Sequence, residues 1–150
     1  MKAKVLIIAF ILIGITACTK NQFTTAPKLT FKQVNTQELS PGQVIEFQLE
    51  YTDKEGDIQD SIYIQKLAKN CVASNFEGLY AMPSDVPVQS NTKAEIDIRF
   101  AYGTNLGYPA IKEPACLGQN DTCVFRFVLS DKEKHSSDTI LSPEIILIKR

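Results

Sequence analysis

Two stretches of the chain concentrate oxygen donors in one repeated spelling. Thr52-Asp53-Lys54-Glu55-Gly56-Asp57-Ile58-Gln59-Asp60-Ser61 and Ser130-Asp131-Lys132-Glu133-Lys134-His135-Ser136-Ser137-Asp138-Thr139 each run hydroxyl, Asp, Lys, Glu, four residues, then Asp and hydroxyl. Carboxylates gathered on loops suit a hard cation, because Ca²⁺ takes roughly six to eight oxygens from carboxylates, carbonyls and water. Asp53, Asp57, Asp60, Asp131 and Asp138 are therefore candidate calcium ligands, provided the two loops meet. The reading favoured by residue type is turn chemistry, since Asp side chains accept local backbone N–H groups and Gly56 supplies a positive φ. An EF-hand does not fit: Gly56 is the fourth residue from Asp53 rather than the sixth, and Ile64 stands where the bidentate Glu belongs. Lys54, Lys132 and Lys134 offset part of the charge. No cofactor other than calcium is suggested.

The remaining reactive side chains are few. There is a single His and no Trp. His135, beside Ser136, Ser137 and Asp131, invites a hydrolase arrangement. All of them fall in one hairpin turn, where a base held by a buried carboxylate is hard to build. The expectation is an exposed turn histidine and a protein that is not an enzyme. Beyond Cys18 the cysteines are Cys71, Cys116 and Cys123, an odd number for an oxidising compartment. Cys116 and Cys123 flank a short loop, LGQNDT, and form the first candidate bridge. Cys71 with Cys116 is the alternative. The absence of a C-x-x-C pair argues against a zinc site. Residues 102–121 make a connection long enough to be functional or irregular. Tyr102 and Tyr108 on it, with Tyr80, either face a ligand or cap the core.

Positioning these groups requires a fold, and the leader must first be set aside. Met1-Lys2-Ala3-Lys4 is a basic start, Val5 to Ile15 is uncharged and apolar, and small residues follow. That is the layout of a secretory signal, and it is too short to span roughly 30 Å of hydrocarbon comfortably. Ile15-Thr16-Ala17-Cys18 resembles the bacterial lipobox, which implies cleavage after residue 17 and acylation of Cys18. Residues 18–27 are polar and read as a tether. By resemblance to lipoprotein sorting, Thr19 after the Cys implies the outer membrane. The lack of an acidic cluster just beyond it points to the periplasmic face rather than the cell surface. The partner expected from these features is the membrane itself, through the lipid. Loss of the leader removes Lys2 and Lys4 and moves the net charge from −1 to −3. A mildly acidic chain offers no electrostatic footprint for nucleic acid.

From residue 28 to 150 the pattern is period two. Ile45, Phe47, Leu49 and Tyr51 alternate with Glu46, Gln48 and Glu50. Residues 94–100 alternate Ala, Ile, Ile and Phe with Glu, Asp and Arg, and Cys123, Phe125, Phe127 and Leu129 alternate with polar or smaller residues. Successive side chains of a strand point to opposite faces, so these are half-buried strands. Weaker segments lie at 28–34, 61–67, 78–82 and 139–149. About seven strands punctuated by Pro and Gly predict an all-β fold, an antiparallel immunoglobulin-like β-sandwich. In such a sandwich the loops after the second and sixth strands share one end, which would bring the two acidic loops together.

YTDKEGDIQDS, together with SDKEKHSSDTILSPEIILIK, resembles a widespread group of Bacteroidota cell-envelope lipoproteins. Their sandwich domain carries a D-x-x-G-D loop after strand B and a D-x-x-G-N-x-S-[ND]-T segment leading into the last strand. Lys134-His135 stands here where that pattern has Gly-Asn. The resemblance implies a lipid-anchored sandwich of unassigned activity. The function expected is protein contact or an accessory role with an envelope partner, the alternative being a calcium- or small-ligand-binding domain.

Overall fold

Period-two alternation gives each strand one apolar face, and two sheets closed on such faces make the core. The computed structural model describes residues 23–84, 86, 88–103, 107–114, 116 and 118–149. The signal segment and Cys18 lie outside the described residues. Ten strands occur among the described residues: β1 (Lys28–Val34), β2 (Glu38–Leu39), β3 (Val44–Asp53), β4 (Ser61–Ala68), β5 (Phe76–Ala81), β6 (Thr92–Tyr102), β7 (Ala110–Ile111), β8 (Asp121–Ser130), β9 (Ile140–Leu141) and β10 (Ile145–Leu147). One short 3-10 turn, Val72–Ser74, follows β4.

The protein is an all-β sandwich. One sheet has the order β1-β3-β6-β7 and the other β2-β10-β8-β4-β5, with β9 also on β8. The strongly alternating segments become the long strands β3, β6 and β8. Two short pairings, β6 with β7 and β10 with β2, are parallel, so the sheets are mixed rather than purely antiparallel. The expected last strand at 139–149 is split in two at Pro143, which has no N–H to give a ladder. Ser142 repairs the gap, donating its N–H to Phe125 O and accepting the Phe125 N–H on its hydroxyl, each at 2.9 Å. Ile45, Phe47 and Leu49 from β3 meet Phe125, Phe127 and Leu129 from β8 in the core, and the Phe47 and Phe125 rings are 4.7 Å apart.

The sheet order resembles the immunoglobulin arrangement with one strand missing. Counting β1, β3 and β6 as A, B and E, and β4, β5, β8 and β10 as C, C′, F and G, strand D should lie between β5 and β6. None of the described residues of 82–91 forms a strand, so most of β6 keeps an open edge, covered only at its end by β7.

Two corrections concern the cysteines and the tyrosines. The bridge is Cys71–Cys116, not Cys116–Cys123, and Cys123 is a free, fully buried thiol. The reason is the alternation itself. Cys123 shares the inward face of β8 with Phe125 and Phe127, so a loop cysteine at the surface cannot reach it. Tyr102 does not face a ligand: it is fully buried, and its hydroxyl donates to Ile148 O at 2.9 Å. Tyr108 is 37% exposed.

The same end of the molecule holds a buried ion pair. Lys66 continues the inward row Ile62, Ile64 of β4, and its ammonium donates to Asp121 Oδ2 at 2.8 Å with both side chains fully buried. Lys66 also donates to Ser74 O, and Asp121 Oδ1 accepts the Cys71 N–H. Removing one partner of such a pair costs about 3–5 kcal/mol, because the other charge is left buried alone.

The disulfide spans 45 residues, a loop for which chain entropy gives about 4 kcal/mol of stabilisation. Cys71→Ser is expected to lower the urea unfolding free energy by about 2–4 kcal/mol. Burial pushes the Cys123 thiol up to about 12, so native protein should resist iodoacetamide there until unfolded. Mass spectrometry of the alkylated peptide checks this, and rapid labelling of the folded chain would contradict the burial.

Candidate functional site

Two regions could work: the pole where the acidic loops meet, and the open side between β5 and β6. At the pole, the loop after β3 and the loop after β8 do lie together, with the Lys132 N–H donating to Asp57 O at 3.0 Å. Their common spelling gives a common conformation. The third residue after the leading Asp is left-handed in both, with φ +75° at Gly56 and +72° at Lys134. Asp53 Oδ2 accepts the Gly56 N–H at 2.5 Å and the Asp57 N–H at 3.2 Å. Asp131 Oδ1 accepts the His135 N–H at 2.8 Å. The left-handed turn that glycine makes in the first loop is therefore made by Lys in the second.

Three of the five candidate carboxylates converge. Asp53, Asp57 and Asp131 each offer an oxygen within 4.8 Å of the others. Asp53 and Asp131 are buried to 0% and 1% exposure. Asp60 is drawn away: its Oδ1 accepts from Lys134 Nζ at 2.7 Å, which holds its carboxyl below the usual range. Asp138 is exposed and stands apart from the trio. Burial pushes the Asp53 carboxyl up, against two backbone donors that pull it down.

His135 is not a free turn histidine. Its Nδ1 lies 3.0 Å from Asp131 Oδ2, and that hydrogen bond raises its proton affinity. A buried carboxylate thus does hold this ring. The neighbouring hydroxyls are engaged elsewhere: Ser136 Oγ bonds Ser130 Oγ, and Ser137 Oγ donates to Asp138 O. Among the described residues His135 touches no nucleophile.

The acidic loop is also tied to its surroundings. The end of the tether reaches it, Thr24 O accepting the Lys54 N–H. On its other flank Lys54 O accepts the Asn91 N–H at 2.7 Å, and Gln59 Nε2 donates to Val86 O at 2.9 Å. Gly56 lies against Gln89, where a Cβ would stand 2.0 Å from the carbonyl oxygen.

In the second region the sequence pattern marks only Tyr80 as able to face a ligand, and Tyr80 does line it. Where strand D is missing the sheets part, and a cleft of about 490 Å³ opens, walled by Ile62, Ile64, Tyr80, Ile96, Ile98 and Phe100. Ile58 of the acidic loop and Met82, Pro83 and Val86 close one end. The sequence signal that could have found it is the run Met82-Pro83-Ser84-Asp85-Val86-Pro87, which cannot pair as a central strand.

No family model matches the chain, and no curated protein matches it. Among solved structures it resembles Spo0M, a sporulation control protein from Bacillus subtilis, at 12% identity and a TM-score of 0.46. The alignment covers 85% of this chain and 51% of that one, so the chain spans about half the length of that structure. A likeness at this level says nothing of ligand or activity.

The paired turns make opposite expectations. Gly56→Ala adds a clash with Gln89 to an unfavourable φ, and should destabilise by about 2–3 kcal/mol. Lys134→Gly releases roughly 1–2 kcal/mol of left-handed strain and loses an exposed ion pair worth about 0–1 kcal/mol. It should leave stability unchanged or slightly higher in the same urea titration.

Proposed function

We propose that this chain is a lipid-anchored module of the bacterial cell envelope that holds an extended segment of another envelope protein along its open side. The lipobox-like Ile15-Thr16-Ala17-Cys18 supports the anchor, and the outer membrane, facing the periplasm, is the compartment that its flanking residues suggest. The single observation that carries the binding role is the gap at the strand D position. The edges of β5 and β6 flank an apolar cleft, and β6 has main-chain donors and acceptors to offer along most of its length. An added strand satisfies both features at once, pairing its backbone with the edge and seating alternate side chains in the cleft. An acyl chain or small apolar ligand would fill the cleft and leave the edge unpaired.

A second copy of the chain is disfavoured in the register that sets Ile96 opposite Ile96. There, with β6 laid antiparallel on itself, Lys93 faces Arg99 and Glu95 faces Asp97. Like charges directly opposed destabilise a pair, one of the ways natural edges resist self-association. The occupant suited to this edge is a different, heterologous segment, alternating apolar and polar residues.

Two measurements test the reading. Palmitate supplied to cells should label the wild-type chain and not Cys18→Ser, which should be released from the membrane fraction. A photo-crosslinking phenylalanine at Ala81 or Ile96, both lining the cleft, should yield a discrete envelope-protein adduct in cells. The same group at Leu141, 54% exposed on the far side of β8, should not. Absence of an adduct at both cleft positions in a correctly anchored chain would overturn the binding role.

A further inference from the structure

We infer that Asp53, Asp57 and Asp131 form a binding site for a divalent, oxygen-seeking cation, calcium in an extracytoplasmic setting. Clustered carboxylates alone would not suffice, and the deciding observation is what the Asp53 and Asp57 oxygens lack. Asp53 Oδ1 and Asp57 Oδ1 are both buried and accept no hydrogen bond. Asp53 is fully buried, and its other oxygen is committed to the Gly56 and Asp57 amides. Glu55 Oε2 and Gln59 Oε1, on the same loop, are likewise buried without a donor. All four unsatisfied atoms are acceptors, and all come from residues 53–59. A lone buried acceptor costs about 1–3 kcal/mol, more when it is charged.

The molecule shows what it does with a buried carboxylate elsewhere. Asp121, at the other end of β8, receives a buried ammonium, a hydroxyl and a backbone N–H. At the acidic pole no Lys or Arg reaches Asp53 or Asp57 among the described residues. Lys54 pairs with Glu55, and Lys134 with Asp60. A proton shared between the Asp53 and Asp57 carboxyls would satisfy them only by a hydrogen bond between the two side chains, and among the described residues Asp53 Oδ1 and Asp57 Oδ1 have no partner.

The geometry suits one ion. Calcium–oxygen distances of about 2.3–2.6 Å place ligands of one cation at most about 5 Å apart, and the trio's oxygens lie within 4.8 Å. Three carboxylates with no sulfur or imidazole ligand select a hard cation over zinc or copper. Calcium also tolerates irregular coordination, whereas magnesium demands a near-ideal octahedron. His135 stands behind Asp131 as a positioning residue, its ring hydrogen-bonded to Oδ2. Through Gln59 the same loop braces Val86 in the end wall of the cleft, and through Gly56 and Lys54 it holds Gln89 and Asn91. Cation binding therefore stiffens that wall.

The test uses the full chain, purified in detergent and stripped with EDTA. Calcium at about 100 times its Kd should raise Tm by several degrees, and magnesium at the same concentration should do less. Calcium should also slow hydrogen exchange at the Asn91 amide. Asp53→Asn keeps an acceptor for the two turn amides while removing the buried charge. Its stripped form should melt no lower than wild type, and its calcium shift should vanish. Should that variant fail to fold, Asp57→Asn, a half-buried position, should weaken calcium binding at least tenfold by isothermal titration. No calcium shift in the wild type, an equal shift in Asp53→Asn or a larger magnesium shift would each overturn the assignment.

Discussion

A carboxylate carried out of water must be answered by a proton, a cation or several donors, because the interior solvates charge poorly. That constraint is imposed twice on this sandwich, at the two ends of β8. The strand begins at Asp121 and runs into Asp131, ten residues at about 3.3 Å each, so the two buried acids stand roughly 30 Å apart. The answers differ. Asp121 is closed off with the Lys66 ammonium, in the same knot as the Cys71–Cys116 bridge, since the Cys71 amide is one of its donors. Charge, covalent bond and core packing all coincide there. At the acidic pole the acids are gathered by short turns whose main-chain hydrogen bonds fix the loops but do not neutralise them.

This asymmetry grades stiffness along the molecule. The Asp121 end has a cross-link that limits its unfolded chain and a charge pair that resists being opened. The other end is joined by contacts between loops: Lys132 to Asp57, Asn91 to Lys54, Gln59 to Val86. Local opening begins where buried apolar contacts and cross-links are few. The cleft at the missing strand D runs from the core into this softer end, where Ile58 and Val86 form part of its lining. Under the proposed strand-accepting role one compliant wall is needed, and the cleft has its Ile58–Val86 end beside the loops.

Much of this was legible in the residues. Alternation located β3, β6 and β8 and their inward faces, and it placed the two acidic loops at one end through strand order alone. It failed where the outcome depended on what a strand lacks. Nothing in Ile62, Ile64, Ile96 or Ile98 separates a side chain in the core from one walling a cleft. The difference lies in the absent neighbour, signalled only by the Pro-rich run at 82–87. Tyr102 was ambiguous because a loop-end tyrosine caps a core or meets a ligand with the same composition, and only the Ile148 carbonyl decides it. Two further features follow from period two. Lys66 sits in phase with Ile62 and Ile64, so a buried cation demanding an acid partner was implied by period two. Cys123 sits in phase with Phe125 and Phe127, which already removed it from any surface bridge.

The left-handed lysine shows why the trio is the part left over. A Lys at φ +72° is strained where Gly would be relaxed, yet its side chain reaches Asp60 across the gap between the loops. Glycine at that place would relax the turn and leave the Asp60 carboxylate without its Lys134 partner. Lysine accepts local strain and withdraws one negative charge from the cluster, while Asp138 keeps its own in water. What remains is three carboxylates, two of them almost fully buried, against the partial compensation of His135. Three negative charges at one point exceed what a turn requires for its N–H groups, and a divalent ion brings the balance close to neutral. The strain at Lys134 and the unsatisfied oxygens at Asp53 and Asp57 are then two sides of one arrangement, in which the chain trims its charge to suit a partner it does not itself supply.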